Sequence, residues 1–198
     1  IGDRQYFDQL RVDPYYRHVA ALHPELSSEL QHIITSLDEN GCCLVHGDFS
    51  PKNLLVWDDP SPHLMLIDCE VGHYGDPAFD LGFMLSHLTL KSVYFRWKAP
   101  DAVAPVLTLP SAFWSAYEAS AAAAVSPAEL DVLQQRAVRN LAACLLARVD
   151  GKSPVEYLNQ DRQHDFVRRL SQGLFANNFG TMMEALEWIG DAHSNDHC

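Results

Sequence analysis

The chain has 198 residues, the length of one domain, and 47% of them are hydrophobic and 20% charged, as in ordinary globular proteins. Its formal net charge of −12 opposes the basic surface that a nucleic-acid-binding protein needs, so we expect no nucleic-acid partner. No apolar run approaches the ~18–20 residues of a membrane span, and five cysteines without CxxC spacing favour a reducing, cytoplasmic compartment.

Helical patterning dominates the first 40 residues. Pro14 is predicted to interrupt an early segment, and Pro24 lies in the first turn of a second helix. Apolar residues then recur at helical spacing until Gly41, which is a natural helix stop.

The hydrophobic period changes after Gly41. Short apolar runs at 43–45, 53–57 and 64–68 predict three strands. Aspartate, proline and serine residues fill positions 58–63, so the last two strands are expected to form a β-hairpin with a loop of about six residues.

Helices are expected over most of the remaining chain. A helix is predicted at 77–90, an irregular segment at 91–109 that contains Pro100 and Pro105 and is followed by Pro110, and a second helix at 111–124. Ser126, Pro127 and Glu129 form a helix start signature, and a long apolar stripe follows to about Arg148.

Two further helix starts are predicted near the C-terminus. The signature of serine, proline and glutamate recurs at 153–156, and Thr181 with Glu184 starts the last helix. The polar residues at the end, which include His193 and His197, are expected to form a frayed tail.

The segment 46–53, with the sequence HGDFSPKN, links the first two strands and concentrates polar residues. If Trp57 pairs with Leu64 across the hairpin, Asn53 faces Asp68 at its open end, where opposed oxygen ligands suit Mg²⁺. Asp48 lies on the loop that feeds the same strand end, where a carboxylate can accept a proton from an attacking hydroxyl. These residue types are the ones that phosphoryl transfer requires.

The stretch HGDFSPKNLLV is similar to the catalytic loop of kinase-like phosphotransferases, and the chain resembles the aminoglycoside phosphotransferase and choline kinase family over residues 40–160. The sequences IDCE and GDPAFDLG, which follow the loop, also resemble that family. The resemblance implies that Asp48 is the catalytic base, and that Asn53 and Asp68 bind the magnesium ion that holds the nucleotide.

Four other residues have roles that are implied less directly. Asp80 resembles a family aspartate that braces the catalytic loop, and His46 looks structural. Glu70 is either a third metal ligand or a solvent-facing residue, and Lys52 is expected to be solvated rather than to contact phosphate.

The predicted fold class is α+β and mainly α: the C-terminal lobe of the protein-kinase-like fold, with a small β-hairpin that carries the active site. We expect one domain over 1–198. It comprises leading helices at 1–41, the catalytic loop and hairpin at 42–76, a helical substrate-side part at 77–190, and a tail at 191–198.

The implied function is that of a small-molecule kinase, which transfers phosphate from ATP, with Mg²⁺, to a hydroxyl of an aminoglycoside, a sugar, choline or homoserine. The first 40 residues contain no strand-rich segment, Gly-rich loop or strand lysine, and the chain begins at Ile1. We therefore expect a fragment without the N-terminal lobe, inactive alone.

Three alternatives remain open at the level of sequence. The first is a lone lobe that acts as a binding or regulatory module. The second is a protein kinase, and the third is a metal-dependent hydrolase. A protein kinase is disfavoured because the sequence has Asp-Cys-Glu at 68–70 and no Ala-Pro-Glu segment after it.

Overall fold

The computed structural model describes residues 4–195, and it begins with one helical run of mixed geometry. An α-helical turn, α1 (Gln5–Phe7), continues into a π-helix (Asp8–Arg17) and then into α2 (His18–Leu22). The predicted interruption at Pro14 is wrong because the helix widens there instead of breaking. The amide of His18 bonds to the carbonyl of Asp13, five residues back.

The middle of the chain forms four short strands after helix α3 (Ser27–Glu39). They are β1 (Cys43–Val45), β2 (Leu54–Trp57), β3 (His63–Leu66) and β4 (His73–Gly75). Strand β2 pairs with β3 as the predicted hairpin, and β1 pairs with β4, which the sequence did not predict. Both pairs are antiparallel, and the catalytic loop lies between β1 and β2.

The hairpin register differs by one residue from the predicted one. Trp57 pairs with His63 instead of Leu64, which shortens the connecting loop. The amide of Ile67 bonds to the carbonyl of Asn53 at 3.0 Å, so Asn53 faces Ile67 and the predicted pairing of Asn53 with Asp68 is wrong. Asn53 itself closes a 3₁₀ turn (Pro51–Asn53), and Asp68 lies one residue beyond the last pair.

Five helices complete the fold. They are α4 (Pro77–Lys98), α5 (Val103–Ala121), α6 (Pro127–Asp150), α7 (Asp161–Ala176) and α8 (Met182–Asn195). The capping box predicted at Ser126 and Glu129 is present at the start of α6. At α8, the Glu184 amide donates to Thr181 Oγ1.

Three sequence expectations in this region are wrong. Residues 91–109 are mostly helical because Pro105 lies in the first turn of α5, where a missing amide costs nothing, and Pro110 is accommodated inside it. No helix starts at 153–156, where the Val155 amide turns back to the Arg148 carbonyl. The predicted tail overlaps α8, in which His193 is buried against Ser92, whereas His197 lies outside the described residues.

Helices α4 and α6 pack closely at the centre of the core. A Cβ atom at Gly82 of α4 would lie 2.6 Å from both the Asn140 Cβ and the Leu141 amide nitrogen of α6. Asn140 also accepts a hydrogen bond from the buried Tyr16 hydroxyl at 2.7 Å. The leading helical run is thereby fixed to the same core that carries α4.

The hairpin, in contrast, leaves apolar side chains exposed. The exposed large side chains on its two strands are Leu55, Val56, Trp57, Leu64, Met65 and Leu66. Within residues 4–195, none of the helices has the length and apolar character needed to cross a bilayer.

Candidate active site

The loop 46–53 has a backbone that only glycine suits at its second position. Gly47 has φ +75°, and a Cβ atom there would lie 2.8 Å from the Val71 carbonyl oxygen. The loop can therefore pass close to the segment between β3 and β4.

Asp80, in the first turn of α4, fixes the start of this loop. Its carboxylate accepts hydrogen bonds from the backbone amides of His46 at 2.6 Å and Gly47 at 2.9 Å. Burial raises the pKa of Asp80, and these two amides act in the opposite direction because they stabilise the carboxylate. The structure thus joins the loop to the helix that packs at the centre of the core.

The His46 side chain connects the loop to the strand that precedes Asp68. Its Nδ1 atom accepts a hydrogen bond from the Asp48 amide at 3.1 Å, which assigns the proton to Nε2. Nε2 then donates to the Ile67 carbonyl at 2.9 Å. Both ring nitrogens are used within the protein, and this arrangement fits a structural side chain rather than a proton carrier.

Asp48 is buried, with 5% of its surface exposed, and three side chains contact its carboxylate. Arg11 contacts Oδ1 at 2.9 Å, whereas Lys52 and Asn53 contact Oδ2 at 3.0 Å and 2.8 Å. Burial acts to raise the pKa of Asp48, but Arg11, Lys52 and Asn53 together hold it below its usual value. Asp48 is therefore ionised and oriented before any substrate arrives.

A carboxylate offers about four lone-pair positions, two on each oxygen. Oδ2 of Asp48 has two contacts, with Lys52 and Asn53, whereas Oδ1 has a single contact, with Arg11. Oδ1 is consequently the oxygen of Asp48 with a position left for an incoming hydroxyl.

Asn53 is the residue that ties the end of the loop to its middle. Its amide nitrogen donates both to the Asp48 carboxylate and to the Asp48 backbone carbonyl, each at 2.8 Å. Since both bonds use the nitrogen, Oδ1 is the atom of Asn53 that can ligate a cation.

Asp68 follows β3 in a left-handed conformation, with φ +67°, and the exposed Glu70 comes two residues later in the chain. Non-glycine residues in this conformation are uncommon and concentrate at active sites. The residues 4–195 contain no cluster of three histidine, cysteine or acidic side chains placed to hold a metal ion. The donor set of Asn53 and Asp68 instead fits Mg²⁺, which commonly takes one or two protein oxygens and completes its shell with phosphate and water.

An apolar cavity of about 760 Å³ adjoins the loop on the side of α5. His46, Phe49 and Asp80 line it, together with Phe113 and Tyr117 of α5. Asp48, Asn53 and Asp68 are not among its lining residues.

Residues 3–104 match the family model of the phosphotransferase enzyme family, APH. The chain belongs to this family. The match extends over slightly more than half of the chain and contains the catalytic loop, Asp68 and Asp80, and it ends at the start of α5. Among curated proteins, none matched the chain. As a member of the phosphotransferase enzyme family, the protein is an enzyme of phosphoryl transfer in the broad sense.

Arg11 is the site residue that sequence reasoning missed. It lies 37 positions before Asp48, on the π-helix, and nothing in its local pattern distinguishes it from other helical surface arginines. Lys52 was expected to be solvated, and although it is exposed, its ammonium contacts Asp48. The spacing of four residues between Asp48 and Lys52 was the available signal for this contact.

Proposed function

We propose that this phosphotransferase moves the γ-phosphate of ATP to a hydroxyl group of a small molecule. The observation that carries the proposal is the buried Asp48 carboxylate, bonded to Asn53 within a loop that Asp80 holds by two amides. A pre-oriented carboxylate beside oxygen ligands for Mg²⁺ is the arrangement that phosphoryl transfer requires, since the reaction depends on positioning and charge neutralisation.

In this mechanism Asp48 accepts the proton of the acceptor hydroxyl at Oδ1. The acceptor oxygen forms its bond to the γ-phosphorus as the bond to the ADP oxygen breaks. Because its pKa is lowered, Asp48 is a weak base, which suits a loose transition state in which the proton is transferred late. Arg11 and Lys52 hold the carboxylate in one orientation while this occurs.

Asn53 Oδ1 and Asp68 would hold the magnesium ion, and Glu70 is a candidate third ligand because it is exposed two residues later. Bound Mg²⁺ supplies neutralisation of the charge that develops on the β- and γ-phosphate oxygens. His46 and Asp80 do not contact the reacting groups in this proposal; they set the position of the loop.

The acceptors that fit the proposal are an aminoglycoside, a sugar, choline or homoserine. An N-terminal lobe that covers ATP is part of the proposed active enzyme, and residues 1–198 without it are expected to be inactive. The alternative is a lone lobe that acts as a binding or regulatory module without chemistry.

The Asp48→Asn substitution in the full-length protein tests the proposal. The carboxamide keeps the shape but cannot accept the proton, so we expect kcat to fall by roughly 10²–10⁴-fold. The affinity for MgATP should be little changed, because Asp48 does not ligate the metal. ADP release with a panel of amino sugars, sugars and amino alcohols measures kcat, and calorimetry measures the affinity for MgATP.

Equal turnover in the wild type and the Asp48→Asn variant would reject Asp48 as the base. Absence of ADP release by the wild type with every acceptor, at saturating MgATP, would favour the binding module. Phosphate release without any acceptor would instead indicate a hydrolase.

A further inference from the structure

A cleft with basic side chains lies where α6 ends and the chain turns back along it. Its volume is about 550 Å³, and its lining includes Arg148, Lys152, Glu156 and Tyr157. Lys91 of α4 lies at the same place, with its ammonium 3.8 Å from the centre of the Tyr157 ring. The three cations outnumber the one carboxylate, in a chain whose overall charge is −12.

Polar atoms around this cleft are buried without hydrogen-bond partners. Within residues 4–195, no group bonds to Arg148 Nε, to the Tyr157 hydroxyl or to His87 Nε2. Buried polar atoms are nearly always paired in folded proteins, so several unpaired ones at one place indicate a site that a polar ligand fills.

The Arg148 guanidinium is held in place by its other nitrogen atoms. Nη1 donates to the Tyr15 hydroxyl at 2.9 Å and also bonds to the Ser153 carbonyl. These two bonds fix the planar guanidinium group of Arg148 while its Nε atom remains unpaired. A guanidinium held in one orientation is well suited to bind phosphate or carboxylate.

One face of α4 runs from Lys91, beside the cleft, to the buried Phe83, which packs against Arg11. Phe83, His87 and Lys91 recur every four residues and therefore lie on the same side of the helix. The guanidinium of Arg11, which contacts Asp48, lies over the Phe83 ring at 5.7 Å. At 1.5 Å per residue, Phe83 and Lys91 are about 12 Å apart along the helix, which is the length of a small metabolite.

His87 lies between the two ends of this face. Burial, followed by the charge of Arg148, lowers its pKa to about 3, and the charges of Asp48, Lys52 and Lys91 also act on it. The His87 ring contacts the Phe83 ring edge-on, with the ring centroids 4.8 Å apart. The neutral imidazole, with Nε2 unpaired, can form one hydrogen bond with a bound molecule.

We propose that the acceptor carries an anionic group, a phosphate or a carboxylate, which Arg148, Lys91 and Lys152 bind while its hydroxyl extends past His87 to Asp48. This inference rests on the proposed function and specifies the acceptor class. The local charges of the cleft, not the net charge of −12, decide which acceptor binds, because they lie beside the bound molecule.

Binding of inorganic phosphate to the full-length protein tests the site directly. Titration at constant ionic strength, followed by amide chemical shifts, should show saturable binding that perturbs residues of the cleft. Removal of two charges by Lys91→Gln with Lys152→Gln should weaken binding at least tenfold, since the loss of one charged hydrogen bond alone has an effect of about that size. Acetate, titrated in the same way, distinguishes a carboxylate site from a phosphate site.

Lys98→Gln is the matched control because it removes one positive charge from the same helix without touching the cleft. Its phosphate affinity should equal that of the wild type. If neither phosphate nor acetate binds saturably, the inference is wrong. It is also wrong if the Lys98→Gln control weakens binding as much as the double variant does.

The acceptor assay separates this inference from the proposed function. Each neutral hydroxyl compound is compared with its phosphate ester and its carboxylate analogue, and ADP release is followed. Turnover with the anionic members, with a KM raised at least tenfold in the double variant, supports both proposals. Turnover with neutral or cationic acceptors alone would contradict the proposal of an anionic acceptor but agree with the proposed kinase function. Anion binding without any phosphate transfer would agree with the anion site but contradict the proposed kinase function.

Discussion

Arg11 helps to set the electrostatic state of the candidate base although it lies outside the catalytic loop. After burial, its charge has the largest effect on the pKa of Asp48, and it acts to lower that pKa. The guanidinium also donates through Nε to the Gly47 carbonyl at 2.6 Å, so it binds the backbone and the side chain of the loop together. Arg11 is therefore a positioning residue, which acts on the reaction through Asp48.

Replacing Arg11 by glutamine should shift the acidic limb of the pH profile of kcat/KM to higher pH. Without the guanidinium, the pKa of Asp48 rises, and the base becomes protonated at a higher pH than in the wild type. Steady-state rates across the acidic range measure the shift. The matched control is Arg17→Gln, which removes an exposed arginine from the same helical run; a profile that moves equally in both variants would contradict the assignment.

At the level of elements, the contact between α4 and α6 positions both ends of the proposed site. Helix α4 carries Asp80 near its start and Lys91 in its second half, and α6 carries Arg148 near its end. Their close approach depends on Gly82, where the backbone of α6 occupies the space that a side chain would need. A change of this contact would move the catalytic loop and the basic cleft together.

Gly82→Ala should therefore lower the free energy of unfolding by about 1–3 kcal/mol, because the added methyl group overpacks the interface. Gly190→Ala in α8 is the matched control, since a Cβ atom there meets nothing within 4 Å. That substitution should leave the protein as stable or raise its stability by about 0.4–1 kcal/mol. Chemical denaturation of both variants measures the difference, and equal stabilities would contradict the packing argument.

The sequence predicted which segments form helices and strands better than it predicted how strands pair or where helices begin and end. The strands, the capping box at Ser126 and the last helix follow from hydrophobic period and local capping, which are properties of short segments. The hairpin register was missed by one residue because a turn of Asp, Pro and Ser does not specify which residues pair across it. Pro110 was misjudged because tertiary packing keeps α5 continuous around it.

For the whole molecule, the decisive feature is that the tertiary fold adds residues from distant segments of the chain to the short catalytic loop. Asp48 and Asn53 could be proposed from the sequence because they lie on one short loop. Arg11 and Arg148 could not, because the tertiary fold alone brings the first helical run and the end of α6 to the same place. Sequence reasoning thus proposed the reacting groups, and the structure added the residues around them.

Residues 1–198 alone should bind MgATP weakly, with a dissociation constant above the micromolar range. In the proposed function they supply Asn53 and Asp68 as metal ligands, but the proposed roof over the nucleotide lies in another lobe. Titration calorimetry of this chain with MgATP measures the affinity. A micromolar dissociation constant would show that these residues form a complete nucleotide site without any other lobe.

The uninterrupted length of α4 has a consequence for how this enzyme can change over evolutionary time. Asp80 and Lys91 are eleven residues apart, or about 16 Å along one rigid helix. If the acceptor binds as proposed, mutations around Lys91 can therefore change which acceptor binds. They would leave undisturbed the first turn of the helix, where Asp80 holds the catalytic loop. Duplicated copies of such a gene could come to accept different compounds while they keep the same chemistry.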